Sequence, residues 1–298
     1  MTRDVVVFAM PGNEALAGAL VTHLGADSGS LVLRHFPDGE TYLRFDTLVS
    51  AKKVVLACSL HQPDDKTLAL IFAAATAREL GATMVGLVTP YLGYMRQDKR
   101  FRDGEAVTST LFAQLLSRHF DWLVTVDPHL HRWHSLEELY SISCTVVPAA
   151  PLLAEWIRNN VEAPILIGPD AESAQWVAAV ARIIDAPHVV LEKVRRGDRD
   201  VSVSIPDPER LRGHTPVLVD DIISTGRTMV AAVRHVVAQR LPPPVCVGVH
   251  AVFAGDAHEA LFAAGAAQVI TTNTVPHTSN DIDVDPALAA AASPLIYA

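Results

Sequence analysis

"VLVDDIISTGRT", residues 217–228, passes from a short apolar run into two adjacent aspartates, Asp220 and Asp221, and then into Ser, Thr and Gly. The apolar run predicts a buried strand, and the following "TMVAAVRHVVAQ" predicts a helix. Backbone amides at the start of a helix, beside a glycine that allows close approach, form a cradle for a phosphate. Because an unpaired charge is unfavourable at the end of a buried strand, we expect the two aspartates to face hydroxyl groups, directly or through a divalent cation. The alternative is a strand end with two solvated carboxylates.

Similar strand-to-helix units recur along the chain. Short β-branched runs such as "VVVFAM" (5–10), "VVLACS" (54–59) and "PILIGPD" (164–170) each precede a helical pattern. Continuous apolar strands that alternate with amphipathic helices are typical of parallel sheets covered on both faces. The sequence therefore predicts an α/β protein with about ten strands in two sheets, joined by a Pro-containing connection at 144–151. In such sheets ligands collect at the carboxyl ends of the strands.

The composition is that of a globular protein, since 50% of the 298 residues are hydrophobic and 19% are charged. A net charge of −9 disfavours a nucleic-acid partner. No apolar run reaches the roughly 18 residues of a membrane span, and the first residues lack the pattern of a signal peptide, so we expect a cytoplasmic protein without a membrane partner. Cys58, Cys144 and Cys246 lie far apart and predict reduced thiols rather than a zinc site or disulfides.

Two segments of the first half carry candidate nucleotide-binding residues. In "RHFPDGETYLRF" (34–45), the ring of Phe36 beside Asp38 and Glu40 suits a purine, although a Pro-Asp-Gly turn between strands explains the segment equally well. Four basic residues follow the predicted strand at 84–92 and form either a polyphosphate site or a solvated loop. They are Arg96, Lys99, Arg100 and Arg102.

The helix after residue 12 is predicted to be capped by Asn13.

Three further strand ends carry polar residues. "VDPHLHRWH" (126–134) contains three histidines, which raises the alternative of a zinc hydrolase, although no second cluster with matching ligand spacing is present. Asp170 follows a predicted strand and is the right type of ligand for magnesium. Lys193 and Arg195 occupy positions i and i+2, on one face if the strand continues, where paired cations of a hairpin neutralise phosphate charge.

Six segments together resemble, in order and spacing, those of the ribose-phosphate diphosphokinases, also called phosphoribosyl pyrophosphate synthetases. They are "FPDGE", "YMRQDKR", "DPHLH", "GPD", "KVR" and "VDDIISTGRT". The resemblance implies two tandem domains of phosphoribosyltransferase type, residues 1–146 and 147–298, each a mostly parallel sheet flanked by helices. It also implies transfer of the β,γ-diphosphoryl group of ATP to ribose 5-phosphate, with Mg²⁺ as cofactor. ATP bound partly by a neighbouring subunit implies a homo-oligomer, at least a dimer.

The resemblance assigns a role to each matching residue. The ATP-binding residues it implies are Phe36, Asp38, Glu40, Arg96, Gln97, Asp98 and His129. The magnesium contacts are His129 and Asp170, and the catalytic pair on a mobile flap is Lys193 and Arg195. The ribose 5-phosphate residues are Asp220, Asp221, Ser224, Thr225, Gly226, Arg227 and Thr228.

The chain departs from the family pattern in places. Pro128 and Leu130 flank His129 where a Leu and an Ala are usual, and Ala171 and Glu172 follow Asp170 where many members have two glycines. The stretch "FRDGEAVTS" lacks the Arg-Glu-Pro-Ile of the common phosphate-activated bacterial type and looks more like the archaeal type. Two rival functions stay open at this point: a non-catalytic, synthetase-associated regulatory protein, and a phosphoribosyltransferase that consumes phosphoribosyl pyrophosphate and needs no ATP.

Overall fold

The structure is a computed structural model that describes residues 4–130, 132–196, 200–204 and 212–297. It divides into two compact units. The first runs to Val147 and takes in the chain again from Asp285, and the second comprises Pro148–Val284.

Strands and helices alternate along most of the chain. The strands are β1 (Val5–Ala9), β2 (Asp27–Ser28), β3 (Leu31–His35), β4 (Thr41–Phe45), β5 (Lys53–Ala57), β6 (Met84–Val88), β7 (Trp122–Val126), β8 (Ser143–Val147), β9 (Pro164–Gly168), β10 (His188–Val190), β11 (Glu192–Arg196), β12 (Asp200–Ser204), β13 (Thr215–Ile223), β14 (Val245–Ala251), β15 (Gln268–Thr272) and β16 (Asn280–Ile282). The α-helices are α1 (Glu14–Leu24), α2 (Asp64–Glu79), α3 (Thr108–Ser117), α4 (Ala150–Asn160), α5 (Ala174–Ile184), α6 (Arg227–Ala238), α7 (Ala257–Ala264) and α8 (Asp285–Tyr297).

The first unit is built on a six-stranded sheet in the order β2-β1-β5-β6-β7-β8, in which every neighbouring pair is parallel. All five residues of β7 are buried, as expected of a central strand covered by helices on both faces. β3 and β4 form a separate antiparallel hairpin. Its inner face packs on the core, where Phe45 meets Phe8 edge to face at a centroid distance of 4.8 Å.

The C-terminal helix α8 packs on the first unit, although the predicted boundary places it in the second half. It lies against α1, β7 and β8, and Lys53 Nζ donates to the carbonyl of Ile296 at 2.7 Å. The Tyr297 hydroxyl donates to the carbonyl of Leu24 at 3.3 Å. Leu288, Ala292 and Ile296 are buried in this contact.

Asn13 precedes α1, but its side chain does not cap the helix, so the predicted cap is wrong. Its Oδ1 instead accepts from the Ser59 amide at 2.7 Å, and its Nδ2 donates to the carbonyls of Met10 and Pro11 at 3.2 and 3.0 Å. A buried asparagine with both amide atoms bonded ties the ends of two adjacent strands together. The helix ends at the C-cap residue Gly25, whose φ of 61° is left-handed.

The second unit repeats the architecture with a six-stranded sheet in the order β10-β9-β13-β14-β15-β16, again parallel throughout. β13 lies between β9 and β14, and all seven residues of β14 are buried. β11 and β12 form an antiparallel hairpin outside this sheet. The predicted α/β class with two mostly parallel sheets is confirmed. Within the described part of the chain no helix is long and apolar enough to cross a membrane.

Candidate active site

The stretch from Asp220 to Thr228 connects the buried strand β13 to helix α6. The strand is longer than its apolar run, because Ile222 and Ile223 still pair with His250 and Ala251 of β14. The two aspartates therefore lie within the strand and are partly buried. Gly226 has a φ of 66° and starts α6 as its N-cap residue, a conformation that favours glycine. The first amides of α6 consequently face the loop, as an anion cradle requires.

The carboxyl group of Asp220 has an unusual environment. Burial, and then the charges of Asp221 and Asp170, raise the pKa of Asp220 to about 8. Its Oδ1 accepts from the Asp221 amide at 3.0 Å. Because β9 and β13 are parallel neighbours, their carboxyl ends meet at one edge, which brings Asp170 close enough to repel Asp220.

Asp170 starts a 3₁₀ turn, Ala171–Ser173, after β9. Its Oδ1 accepts from the Glu172 amide at 3.1 Å, and its carbonyl accepts from the Ser173 hydroxyl at 2.6 Å. The Ser173 hydroxyl also accepts from the Asp170 amide at 3.5 Å, which completes a capping box that orients the carboxylate. Ala171 and Glu172 thus belong to the turn that holds Asp170.

The predicted flap residues lie on an antiparallel hairpin. Lys193 and Arg195 occupy alternate positions of β11, opposite Val203 and Val201 of β12. The strand does continue through Arg195, as the placement of both residues on one face requires. The tip of the hairpin, residues 197–199, lies outside the described residues.

In the first unit, Phe36, Asp38 and Glu40 form the tip of the β3–β4 hairpin. The Phe36 amide donates to the carbonyl of Glu40 at 2.8 Å, and Asp38 Oδ1 accepts from the Glu40 amide at 3.3 Å. Phe36 is 40% exposed, and it packs edge to face on Tyr42 at 5.9 Å. The Pro-Asp-Gly turn is therefore present, and it presents an exposed aromatic ring.

Arg34 is a neighbour of Phe36 that the sequence did not single out. Its guanidinium carbon lies 4.8 Å from the centroid of the Phe36 ring and 4.2 Å from that of Tyr42. Such cation–π contacts hold the rings in place. The signal in the sequence is the i, i+2 spacing of Arg34 and Phe36 at the end of β3.

The basic loop after β6 is organised by its own backbone and by Glu105. The Glu105 carboxylate accepts from the amides of Phe101 and Arg102 at 2.8 and 3.0 Å, and the Arg100 Nε donates to the Glu105 carbonyl at 3.0 Å. Gln97 is tied to the start of α3, because its Oε1 accepts from the Thr108 hydroxyl at 3.3 Å. Arg96 is exposed.

Asp98 forms an ion pair with Arg132, with Arg132 Nε 3.3 Å from Asp98 Oδ1. The Asp98 side chain is 9% exposed, whereas that of Arg132 is 49% exposed. The pair connects the loop after β6 to the segment after β7, which carries His129. Arg132 was not among the predicted site residues.

His129 lies just beyond β7 in a strained turn. Asp127 has a φ of 30° and His129 a φ of 55°, and the His129 amide donates to the Asp127 carbonyl at 2.8 Å. Left-handed residues other than glycine are unfavourable by about 1–3 kcal/mol each and concentrate at functional sites. His131 of the zinc alternative lies outside the described residues, and elsewhere in the described chain no three His, Cys, Asp or Glu side chains form a group able to hold a metal.

The structure thus brings two sets of predicted residues together. In the second unit Asp170, Asp220 and Asp221 share a sheet edge with the loop that begins α6. In the first unit the Asp98 loop and the segment after β7 are joined through Arg132. His129 belongs to the first unit and Asp170 to the second.

The comparisons with known proteins agree with this arrangement. Residues 135–286 match a phosphoribosyl transferase domain, and residues 5–119 match the N-terminal domain of ribose phosphate pyrophosphokinase. The chain therefore belongs to the class of proteins that contain a phosphoribosyltransferase-type domain.

Relatives of this kind cover nearly the whole chain. Ribose-phosphate pyrophosphokinase of Sulfurisphaera tokodaii is 34% identical over 264 residues, which cover 85% of this chain and 88% of the relative. That of Methanobrevibacter smithii is 30% identical over 289 residues, which cover 93% and 96%. The crystal structure of phosphoribosylpyrophosphate synthetase from Mycobacterium smegmatis superposes with a TM-score of 0.86 over 97% of both chains, at 24% identity. This last likeness shows the fold.

The chain belongs to the ribose-phosphate pyrophosphokinase family. Its reaction transfers the β,γ-diphosphoryl group of ATP to the C1 hydroxyl of ribose 5-phosphate, which gives phosphoribosyl pyrophosphate and AMP for nucleotide biosynthesis. The predicted family and enzymatic function are confirmed at this level. A phosphoribosyltransferase is excluded as a description of the whole chain, because the first unit matches a domain of the pyrophosphokinases.

Proposed function

We propose that the second unit binds ribose 5-phosphate through the connection from β13 to α6, and that the first unit binds ATP through the hairpin tip and the loop after β6. One observation carries this proposal more than any other: the partly buried aspartates of β13 lead directly into a helix N-terminus with a left-handed glycine. Carboxyl oxygens there accept from ribose hydroxyls, and the amides of 224–228 bind the 5-phosphate.

The two parts of this subsite are kept apart because an anion and a carboxylate repel each other. Ile223 is 1% exposed and anchors the chain between them. Asp220 and Asp221 precede this anchor, and the phosphate cradle follows it. The raised pKa of Asp220 indicates that burial and the neighbouring carboxylates disfavour its ionised form in the ligand-free site.

For ATP, we assign Phe36 to the adenine. Its exposed ring offers a stacking face, and Asp38 and Glu40 beside it offer acceptors for the exocyclic amine. Arg96 and Gln97 contact the polyphosphate, with Gln97 positioned by Thr108. Asp98 positions Arg132, because the largely buried carboxylate of Asp98 forms an ion pair with the Arg132 guanidinium.

Magnesium is the proposed cofactor, with Asp170 and His129 as its protein contacts. Mg²⁺ prefers oxygen ligands and usually binds through one or two carboxylates together with substrate phosphates, and the capped carboxylate of Asp170 is of this chemical type. When bound, the cation neutralises charge on the phosphate oxygens. The strained turn after β7 fixes the backbone of His129.

Catalysis in this proposal is chiefly positioning together with charge stabilisation. The C1 oxygen attacks the β-phosphorus, the bond from that phosphorus to the α-phosphate oxygen breaks, and AMP leaves. Lys193 and Arg195 on the β11–β12 hairpin stabilise the charge that develops on the transferred group. Closure of this flap excludes water that would otherwise hydrolyse ATP.

We also propose that the active form is a homo-oligomer of at least two chains. α2 and α3 expose four large apolar side chains, Leu68, Phe72, Leu111 and Leu115. The two helices are neighbours, because Thr67 of α2 lines a cavity together with Leu111 and Leu115, and neighbouring exposed apolar side chains mark interaction surfaces. The oligomeric state is measured by light scattering after gel filtration. Leu111→Asp is expected to shift the mass toward the monomer, whereas Ile183→Asp, an exposed apolar position of the second unit, leaves it unchanged.

The reaction is tested by a phosphorus NMR time course of the full chain with Mg²⁺, ATP and ribose 5-phosphate. AMP that appears in step with phosphoribosyl pyrophosphate is the expected result, and a sample without ribose 5-phosphate is the control. ADP in place of AMP would mean attack at the γ-phosphorus and a wrong assignment of the site. No turnover would favour the regulatory alternative.

A further inference from the structure

Beyond the end of β14, the chain remains hydrogen-bonded to the end of β13 and to the loop that follows it. The Phe253 amide donates to the carbonyl of Ile223 at 2.9 Å, and the Ala254 amide donates to the carbonyl of Ser224 at 3.0 Å. These two bonds lie outside the regular sheet. They attach residues 252–254 to the segment where β13 leads into the proposed phosphate cradle.

The Phe253 ring lies among histidines from two other segments. Its centroid is 4.5 Å from that of His277, which follows β15, and 5.2 Å from that of His258 in α7. The two histidines are 4.7 Å apart. Phe253 adopts a φ of 31°, which a bulky residue holds only when its surroundings impose it. The three rings therefore act as a clamp that fixes this backbone conformation.

His277 is itself fixed by a tight turn. The Ser279 amide donates to His277 Nδ1 at 3.1 Å, and the His277 amide donates to Asn280 Oδ1 at 2.8 Å. Burial, and then the neighbouring His258, lower the pKa of His277, while the charge of Glu259 opposes them. The lowered pKa favours the neutral ring, the form in which Nδ1 accepts from the Ser279 amide.

Helix α7, which carries His258, also contacts the proposed phosphate cradle. A Cβ at Gly226 would lie 3.3 Å from the Cβ of Ala257, the first residue of α7. α7 thus contacts the N-cap of α6 at the same time as it carries His258. A shift of the 253–258 segment moves both Ser224 and Gly226.

We propose that Phe253 is a positioning residue for ribose 5-phosphate: clamped by His258 and His277, it fixes the segment whose Phe253 and Ala254 amides hold the Ile223 and Ser224 carbonyls, and thereby orients the amides of 225–228. This inference rests on the proposed assignment of residues 224–228 to ribose 5-phosphate. The cradle amides are useful only when they point at one place, and a misplacement of about 1 Å is enough to lose much of their effect.

The test compares Phe253→Ala with Phe262→Ala. Phe262 also contacts His258, with the ring centroids 5.2 Å apart, but it lies in α7 and is 44% exposed. In steady-state kinetics Phe253→Ala is expected to raise the KM for ribose 5-phosphate by about tenfold with the KM for ATP changed less than about twofold. Phe262→Ala and Phe253→Tyr, which keep the clamped ring, are expected to stay near wild type. Equal changes in both KM values, or no change, would overturn the proposal.

Two additional variants test the positioning role of Phe253 separately from the assignment of residues 224–228 to ribose 5-phosphate. His258→Ala removes one side of the clamp and is expected to raise the same KM by about threefold, so the idea remains testable if Phe253→Ala does not fold. Thr228→Ala probes the cradle directly. If Thr228→Ala leaves the KM for ribose 5-phosphate unchanged, the site assignment fails; if it raises this KM while Phe253→Ala and His258→Ala do not, the positioning role alone fails.

Discussion

Replacing Asp220 by asparagine is expected to stabilise the ligand-free protein and to weaken its affinity for ribose 5-phosphate. Burial, and then the charges of Asp221 and Asp170, raise the pKa of Asp220 from 3.8 to about 8. Asparagine keeps the Oδ1 that accepts from the Asp221 amide at 3.0 Å and removes the ionisable group. The substitution therefore tests electrostatic strain with little change in shape.

The sign and size follow from proton linkage. Between the unfolded and folded pKa values, 3.8 and about 8, the folded state binds more protons, so stability is complete below pH 3.8 and falls as the pH rises toward 8. At pH 7 the loss has an upper limit of about 4 kcal/mol, because each pKa unit corresponds to about 1.4 kcal/mol. Since Asp220 retains some solvent contact, we expect roughly half of this, about 2 kcal/mol.

Thermal unfolding of both proteins between pH 5 and 8.5, with a chelator present, measures this gain. At pH 7 the melting temperature of Asp220→Asn should exceed that of wild type by about 4–8 °C, and the difference should grow with pH. Asp256→Asn, an exposed carboxylate of the same unit, is the control and should show little effect. A lower melting temperature for Asp220→Asn, or a difference independent of pH, would refute the reasoning.

Three further substitutions test the other assignments. Lys193→Ala is expected to lower kcat at least about a hundredfold, as measured by AMP release, with substrate binding little changed; a rate near wild type would remove Lys193 from the mechanism. Gly226→Val should raise the KM for ribose 5-phosphate by about tenfold or more, because a β-branched residue is strained at a φ of 66°, and an unchanged KM would contradict the cradle. Asp98→Ala and Arg132→Ala should be non-additive in the KM for ATP, with a coupling of about 1 kcal/mol, and simple additivity would mean that the ion pair has no role.

The two sheets were predictable because their strands are continuous apolar runs. β7 and β14 are buried along their whole lengths, and no other common arrangement places such runs between amphipathic helices. The docking of α8 was not predictable. Its segment is rich in alanine and apolar on several sides, and Lys53 and Ile296, which bind each other, are 243 residues apart in the chain.

The strand-end rule predicted that Asp170 and Asp220 each follow a buried strand. They lie close together because β9 and β13 are adjacent and parallel. The partner of Asp98 could not be predicted in this way, since Arg132 lies 34 residues away on a loop. Loop-to-loop ion pairs depend on the path of both loops, and neither path has a periodic signal in the sequence.

Ile222 and Ile223 lie between the two aspartates and the proposed phosphate cradle, and they extend β13 past its charged residues. Ile223 pairs with β14 and is buried, and its Cδ1 would lie 2.6 Å from a Cβ at Gly248. The missing side chain of Gly248 thus provides the space that Ile223 fills. An apolar anchor in a fixed position keeps the carboxylates in the strand and the amides at the helix end from moving toward each other. In the proposed function, this short segment binds the hydroxyl-rich ring with its acids and the phosphate with its amides.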